Sequence, residues 1–191
     1  MRIEELLFDR RYDLHWQMPN IARLIMVQLL RKLKPALAIE IGTFKCGSLQ
    51  VIAEFSKHVI SVDANPCLEA EFGTRFPNVD FVSGLSQESL PEIIDRLNAE
   101  GRSPDFVLVD GDHSTEGVRN DVNLLLGIKP QGPMLILMHD SFNPACREGM
   151  LTANWEQCPF VQSVDIDFMT GRYTSSGVGR GQCGEDWVAP S

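Results

Sequence analysis

Short apolar runs recur along the chain, and segments with helical periodicity separate them. The runs are rich in β-branched residues and do not alternate with polar positions, which is typical of strands buried on both faces of a sheet. Strands that alternate with helices indicate right-handed βαβ units and a doubly wound, mostly parallel α/β sheet. We predict five such strands, at residues 36–41, 59–62, 79–82, 106–109 and 134–138.

Helix signals occupy the segments between the runs. Ile21, Ile25, Leu29 and Leu33 recur on one face of a helix that Pro35 would end. A capping box, a helix-ending glycine and a set of apolar residues at helical spacing predict further helices. These signals are Ser89 with Glu92, Gly101, and Val118 with Val122 and Leu125.

The pattern changes after the fifth run. Residues 161–168 and 173–178 predict two strands around a turn at 169–172. They would add a C-terminal antiparallel hairpin and complete a seven-stranded sheet. The stretch 179–191 is too glycine-rich and polar to predict a full final strand.

Length and composition suit one domain with a substantial core, since the chain has 191 residues and 43% of them are hydrophobic. We expect a single domain over 1–191, with a helical segment at 1–34 ahead of a core at 35–191. Five cysteines without paired spacing are typical of reduced thiols. No run approaches the roughly 20 apolar residues of a membrane span, and no signal core is present. We therefore expect a cytoplasmic protein without a membrane partner, and the net charge of −9 disfavours nucleic acid.

Candidate binding residues follow the first three runs, because ligands of doubly wound sheets bind beyond the carboxyl ends of the strands. After the first run, Gly42 allows a tight turn and a close approach, although the spacing is not GxGxxG and a purely structural turn is the alternative. Asp63, about 20 residues later, is placed to accept hydrogen bonds from ribose hydroxyls or to cap a helix. The loop after the third run ends at Ser86, which is a ligand contact or another helix cap.

Titratable side chains follow the fourth and fifth runs. Asp110, Asp112 and His113 follow the fourth, and His139 and Asp140 follow the fifth. Adjacent parallel strands would bring Asp110 and Asp140 together, and clustered titratable groups at a ligand edge indicate a site. The alternative for the two histidines is structural, with His113 capping a helix and His139 forming a buried hydrogen bond.

These features resemble those of class I S-adenosylmethionine-dependent methyltransferases, which have a Rossmann-like fold. The chain is most similar to small O-methyltransferases of the catechol and caffeoyl-CoA type and to the macrocin O-methyltransferase and cephalosporin hydroxylase group. The resemblance extends over residues 16–173 and is most specific at 39–44 and 105–113. It implies that S-adenosylmethionine is the cofactor. The cofactor-binding positions that it implies are Glu40, Gly42, Thr43, Gly47, Ser48, Asp63, Ala64, Ser83, Gly84, Ser86, Asp110, Gly111, Asp112 and His113.

The resemblance also implies a metal site and catalytic residues. Asp110, His139 and Asp140 match the ligand positions of a Mg²⁺-type ion, and His113 matches a catalytic lysine of the catechol type. Catechol-type enzymes carry Asp-Asn where this chain has His139 and Asp140, and imidazole suits Mn²⁺, Fe²⁺ or Zn²⁺ better than Mg²⁺. With an unperturbed pKa of ~6.5, His113 would act as a base near neutrality. We expect catalytic roles for Asp110, His113 and His139, with Mg²⁺, Mn²⁺ or no metal.

The predicted function is methyl transfer to the oxygen of a small hydroxylated molecule, by a protein that forms a homodimer. A non-catalytic S-adenosylmethionine-binding domain is the main alternative, because the polar tail at 180–186 departs from the family pattern. A nicotinamide-dependent oxidoreductase shares the fold, but the glycine spacing argues against it. A hydroxylase is a further alternative, although no facial triad pattern is visible.

Overall fold

A computed structural model describes residues 8, 9 and 11–169, in which five parallel strands form one sheet in the order β3-β2-β1-β4-β5. The elements in chain order are α1 (Asn20–Leu33), β1 (Leu37–Ile41), α2 (Leu49–Phe55), β2 (His58–Asp63), α3 (Leu68–Phe72), β3 (Val79–Ser83), α4 (Ser86–Ala99), β4 (Phe106–Val109), α5 (Thr115–Leu125), β5 (Leu135–Met138), α6 (Pro144–Leu151) and a 3-10 helix (Trp155–Gln157). No helix in this part of the chain is long and apolar enough to cross a membrane.

The order of the strands reverses between β1 and β4, so the sheet has a topological switch point there. Ile41 at the end of β1 is in register with Val62 of β2 and with Val109 of β4, and Val109 is in register with Met138 of β5. Four strands therefore end at one level. In open α/β sheets this edge is where ligands bind.

Both faces of the central strands β1, β2 and β4 are covered, as the unbroken apolar runs predicted, whereas the edge strands β3 and β5 contain no fully buried residue. Ile39 and Ile41 of β1 pack in a cluster with residues of α4 and α5, whereas Ala38 belongs to a cluster with residues of α1 and α2. All five residues of β1 are buried. Side chains alternate between the two faces of β1, so Glu40 lies on the same face as Ala38, which is the face that α2 covers.

The prediction of a seven-stranded sheet with an antiparallel hairpin is wrong for the described residues. Residues 161–168 form no strand, and all five strands of the sheet are parallel. Most side chains of this segment are exposed; Ile166 packs against the cluster that includes α6, and Asp167 forms two hydrogen bonds with Arg147. The segment is thus attached by side chains and not by a strand ladder. The second predicted strand, at 173–178, lies outside the described residues.

The buried face of α1 differs from the predicted one. Ile21 is 54% exposed and Leu33 is 36% exposed, whereas Met26 and Leu30 are fully buried. The apolar residues of this helix are spread over more than half of its circumference, so periodicity did not single out one face. The predicted end before Pro35 is confirmed.

The start of α4 also differs from the prediction. The helix begins at Ser86, so the Ser-x-x-Glu pattern at Ser89 lies inside it and is not a capping box. The predicted end is confirmed, since Gly101 follows the last helical turn with a φ of +63°. The apolar face predicted for α5 is confirmed as well, with Val118, Val122 and Leu125 buried.

Candidate cofactor and catalytic site

The loop after β1 turns tightly against the end of β4. Gly42 has a φ of +85°, and a Cβ atom at this position would lie 2.1 Å from the carbonyl oxygen of Asp110. Phe44 and Cys46 also have positive φ angles, of 50° and 61°. The close approach expected at Gly42 is therefore made by the backbone of the neighbouring strand, and glycine is required for the fold of the loop itself.

The buried side chain of Glu40 forms hydrogen bonds with two residues that follow β1. Glu40 is 0% exposed; its Oε1 accepts a hydrogen bond from Ser48 Oγ at 2.5 Å, and its Oε2 accepts one from Thr43 Oγ1 at 3.0 Å. Burial raises the pKa of Glu40 to about 8, although the two hydrogen bonds favour the ionised form. Glu40 thereby ties the end of β1 to the start of α2.

Asp63 connects the same loop to β2. Its Oδ2 accepts hydrogen bonds from the backbone N–H groups of Thr43 and Phe44 at 2.7 and 2.8 Å, and its Oδ1 accepts one from Asn65 at 2.8 Å. The backbone N–H of Gly84 donates to the carbonyl of Asp63 at 2.9 Å, which places the loop after β3 beside it. The first three strand ends therefore form one continuous edge.

Four titratable side chains meet at the ends of β4 and β5. The Nε2 atom of His113 lies 2.9 Å from Asp140 Oδ2, and the Nδ1 atom of His139 lies 3.0 Å from Asp110 Oδ1. Each imidazole also contacts the other carboxylate, at 3.4 Å for His113 with Asp110 and at 3.3 Å for His139 with Asp140. Their potential ligand atoms all lie within 4.8 Å of one another. Asp140 is held with a φ of +56°, an uncommon backbone conformation for a residue other than glycine.

The two pairs of opposite charges change the pKa values in this cluster. Hydrogen bonds to Asp110 and Asp140 raise the pKa of His113 to about 10. Burial acts to lower the pKa of His139. The negative charges of Asp110 and Asp140, and the hydrogen bonds that His139 donates to them, have a larger opposite effect and raise the pKa of His139 to about 10. Burial likewise acts to raise the pKa of Asp140, but the hydrogen bonds that it accepts from the two histidines give a net lowering. Both imidazoles are therefore protonated near neutrality, whereas the sequence analysis expected His113 to act as a base near that pH.

Asp112 is not one of the four residues of this cluster. Its Oδ1 accepts a hydrogen bond from the backbone N–H of Ser114, and its Oδ2 accepts one from Ser114 Oγ. Ser114 in turn caps α5, accepting a hydrogen bond from the backbone N–H of Gly117 at 3.0 Å. The alternative in which His113 caps this helix is therefore wrong.

One buried acid near the site was missed by the sequence analysis. Asp121 on α5 is 1% exposed, and its Oδ1 accepts a hydrogen bond from Ser86 Oγ at 2.5 Å. The sequence signal for its burial is its position between Val118 and Leu125, on the apolar face of the helix. Ser86 uses its side chain for this contact, so it does not cap α4.

Comparison with known proteins identifies the family. A family described as a methyltransferase domain matches residues 39–141, which include the glycine loop and all four residues of the cluster. The chain belongs to this methyltransferase family. The match confirms the resemblance to class I methyltransferases, and it favours a methyltransferase over the oxidoreductase and hydroxylase alternatives.

Sequence relatives of this chain are also named as methyltransferases. The methyltransferase is 29% identical over 123 residues to proteins from Mycobacterium bovis and Mycobacterium tuberculosis that are named rhamnosyl O-methyltransferases. The aligned part covers 61% of this chain and 50% of theirs, so the chain spans about half the length of these relatives.

The fold is shared with solved O-methyltransferases. One from Bacillus cereus, in complex with S-adenosylhomocysteine, has a TM-score of 0.54 at 18% identity and covers 72% of this chain and 64% of its own. Another, from Streptomyces achromogenes, is involved in tomaymycin synthesis and was solved with S-adenosylmethionine. It has a TM-score of 0.53 at 18% identity and covers 73% of this chain and 69% of its own.

Proposed function

We propose that this methyltransferase moves the methyl group of S-adenosylmethionine to a hydroxyl oxygen of a small molecule. The observation that carries the proposal is the cluster of Asp110, His113, His139 and Asp140, which lies at the same sheet edge as the loop after β1. A cofactor bound along this edge presents its methyl group to an acceptor held beside the cluster. Because the transfer is an in-line displacement, alignment of the acceptor oxygen supplies much of the acceleration.

The cofactor would lie across the ends of β1, β2 and β3. The loop braced by Glu40 would receive its amino-acid end. Asp63 would accept hydrogen bonds from the ribose, since a carboxylate offers about four lone-pair sites and three are used by backbone N–H groups. The adenine would lie between the loops after β3 and β4. The remaining proposed contacts are Gly42, Thr43, Gly47, Ser48, Ala64, Ser83, Gly84, Ser86, Asp110, Gly111, Asp112 and His113.

The donor chemistry of the cluster fits a divalent cation. Two carboxylates and two imidazoles offer both oxygen and nitrogen atoms within 4.8 Å of one another. This mixed set suits Mn²⁺, Fe²⁺ or Zn²⁺, whereas Mg²⁺ prefers oxygen alone. Asp110, Asp140 and the deprotonated His139 would hold the ion, so its binding would displace the proton that His139 carries near neutrality. When bound, it would supply Lewis-acid activation of the acceptor hydroxyl.

His113 is proposed to take the proton of the acceptor. Its side chain is 38% exposed, against 12% for His139, so it is the imidazole that an incoming acceptor can reach. Its contacts with Asp110 and Asp140 keep it protonated near neutrality. Proton acceptance therefore requires that these contacts be loosened or compensated in the loaded enzyme.

A sugar hydroxyl is the first acceptor class to test. The relatives from Mycobacterium are named rhamnosyl O-methyltransferases, and their similarity to this chain extends over 123 residues. Phenolic hydroxyls are the second class, following the resemblance to catechol-type enzymes.

Isothermal titration with S-adenosylhomocysteine, with NAD as the comparison ligand, tests the cofactor assignment. We expect micromolar binding of the homocysteine nucleoside and no binding of NAD. Asp63→Asn should weaken binding about tenfold, because one acceptor oxygen becomes an amide donor. Asp80→Asn is the matched control: Asp80 lies on neighbouring β3 and its side chain is 59% exposed, so binding should not change.

Transfer of a labelled methyl group to rhamnosides and phenols, after EDTA treatment and with Mn²⁺ or Mg²⁺ restored, tests the chemistry. Methylated sugar or phenol would support the proposal. Cofactor binding with no transfer to either class would favour a non-catalytic binding domain. Failure to bind S-adenosylhomocysteine would contradict the proposed function.

A further inference from the structure

A carboxyl group outside the residues assigned so far lies next to the two loops that flank the proposed adenine position. Asp121 is 1% exposed and sits in the second turn of α5. Its Oδ1 is held by Ser86, the first residue of α4. Its Oδ2 is buried and has no hydrogen-bond partner among the described residues. One oxygen of this carboxyl group is thus hydrogen-bonded, and the other is buried without a hydrogen-bond partner in the described part of the chain.

The oxygen without a partner, Oδ2, faces the loop after β4. A Cβ atom placed on Gly111 would be 3.5 Å from Asp121 Oδ2 and 3.2 Å from Ile41 Cγ2. The oxygen therefore lies directly behind a residue that has no side chain. Gly111 lies in the loop after β4, and Ser86 directly follows the loop after β3, so Asp121 lies next to both loops between which the adenine is proposed to bind.

A buried acceptor without a donor is unfavourable, and more so when it is charged. Burial raises the pKa of Asp121 to about 6; the hydrogen bond from Ser86 opposes this effect, and the nearby charge of Asp112 adds to it. The group is therefore mostly ionised at pH 7.5. A hydrogen bond donated to an ionised oxygen is stronger than one donated to a neutral oxygen, so an incoming N–H group gains most at this position.

We propose that Asp121 determines the base specificity of the cofactor site. Its Oδ2 accepts a hydrogen bond from the exocyclic amine of adenine, while Ser86 holds its Oδ1. The inference rests on the proposed function, because it requires the adenosine of the cofactor at this edge. Hypoxanthine carries a carbonyl oxygen in place of the amine and would set two acceptors against each other.

Titration calorimetry at pH 7.5 with S-adenosylhomocysteine and S-inosylhomocysteine tests this inference. The wild-type protein should bind the adenosine compound about 10- to 100-fold more tightly, as expected for a hydrogen bond to a charged group. Asp121→Asn keeps a carbonyl oxygen for Ser86 and puts an amide N–H₂ in place of Oδ2. This variant should lose the preference or reverse it. Asp95→Asn, the same change at an exposed position of α4, should keep it.

The outcomes separate the inference from the function beneath it. Equal binding of the two nucleosides by the wild-type protein, or a full preference in Asp121→Asn, overturns the inference and leaves the cofactor assignment standing. Failure to bind S-adenosylhomocysteine overturns both. If Asp121→Asn does not fold, Ser86→Ala takes its place. Removing the hydroxyl releases Oδ1, so the preference should fall at least threefold, and an unchanged preference counts against the role of Asp121.

Discussion

Burial gives single acids in this protein a chemistry that differs from that of the same residue in water. Glu40 is 0% exposed, and burial raises its pKa from 4.5 to about 8 despite the hydrogen bonds from Ser48 and Thr43. A group whose pKa is higher in the folded chain than in the unfolded chain binds more protons when folded. Its stabilising contribution is present below pH 4.5 and is lost as the pH rises to about 8.

Glu40→Gln should remove this part of the pH dependence. The wild-type free energy of unfolding should fall, relative to that of the variant, between pH 5 and pH 8, because about 1.4 kcal/mol is lost for each unit of pKa difference. Urea unfolding at intervals of pH measures the difference. Glu92→Gln, at an exposed position of α4, should follow the wild-type curve. Parallel curves for wild type and Glu40→Gln would contradict the assignment of a raised pKa.

The backbone of the loop after β1 depends on one glycine. Gly42→Ala should destabilise the fold by about 3 kcal/mol or more, since a Cβ atom would strain a φ of +85° and clash with the carbonyl of Asp110. At Gly132 a Cβ would meet nothing within 4 Å, so Gly132→Ala should change stability by less than about 0.5 kcal/mol. Chemical denaturation compares the two variants, and equal effects would mean that the loop can relax around a side chain.

At the scale of elements, packing selects which face of a helix is buried when the sequence offers several. In α1, Met26, Val27 and Leu30 are buried under the N-terminal part of the chain and against α2, while Ile21 at the start of the helix stays exposed. Similarly, α4 starts three residues before its Ser-x-x-Glu pattern, and Ser86 at its first turn contacts Asp121 on α5. In both helices, contacts with neighbouring elements outweigh the local signal.

The buried face of α1 is tested by a matched pair of truncations. Leu30→Ala should cost about 2 to 5 kcal/mol, because it leaves a cavity at a fully buried position. Ile21→Ala should cost less than about 0.5 kcal/mol, because Ile21 is 54% exposed. Thermal or urea unfolding gives both values. A larger loss of stability for Ile21→Ala than for Leu30→Ala would mean that the face predicted from periodicity is the buried one.

At the scale of the whole molecule, the parallel register assembles the proposed catalytic cluster. Val109 of β4 and Met138 of β5 are in register, so Asp110 and His139, which follow them, come within 3.0 Å although they lie 29 positions apart. The cluster is one unit in which every imidazole contacts both carboxylates. The metal preference of the proposed site therefore depends on Asp110, His139 and Asp140 together.

His139→Asp should change that preference. Under the proposed function the wild-type protein should bind Mn²⁺ at least about tenfold more tightly than Mg²⁺, because imidazole is a poor ligand for Mg²⁺. An aspartate at this position makes the donor set harder, so the ratio should fall. Calorimetric titration of the metal-free protein gives both affinities, and His58→Asp, on β2 away from the cluster, should leave the ratio unchanged. Tighter Mg²⁺ than Mn²⁺ binding by the wild type would contradict the prediction.

The sequence by itself determined the alternation of strands and helices, the parallel sheet and the strand-end positions of the candidate residues. Strands buried on both faces need unbroken apolar runs, and these are visible without tertiary information. Because parallel strands end at one edge, the residues after the runs had to meet, as Asp110 and Asp140 do. The hydrophobic pattern gave a wrong prediction at residues 161–168. This segment is attached by a few side-chain contacts and forms no strand.

Only the tertiary structure decided how those residues interact. The contact of Ser86 with Asp121, the raised pKa of Glu40 and the protonated state of His113 depend on groups that are distant in the chain. Burial and the distance to an opposite charge set such properties, and neither is encoded in local periodicity. Sequence pattern therefore located the edge of the sheet, whereas packing decided which atoms at that edge are charged, which are paired and which remain available.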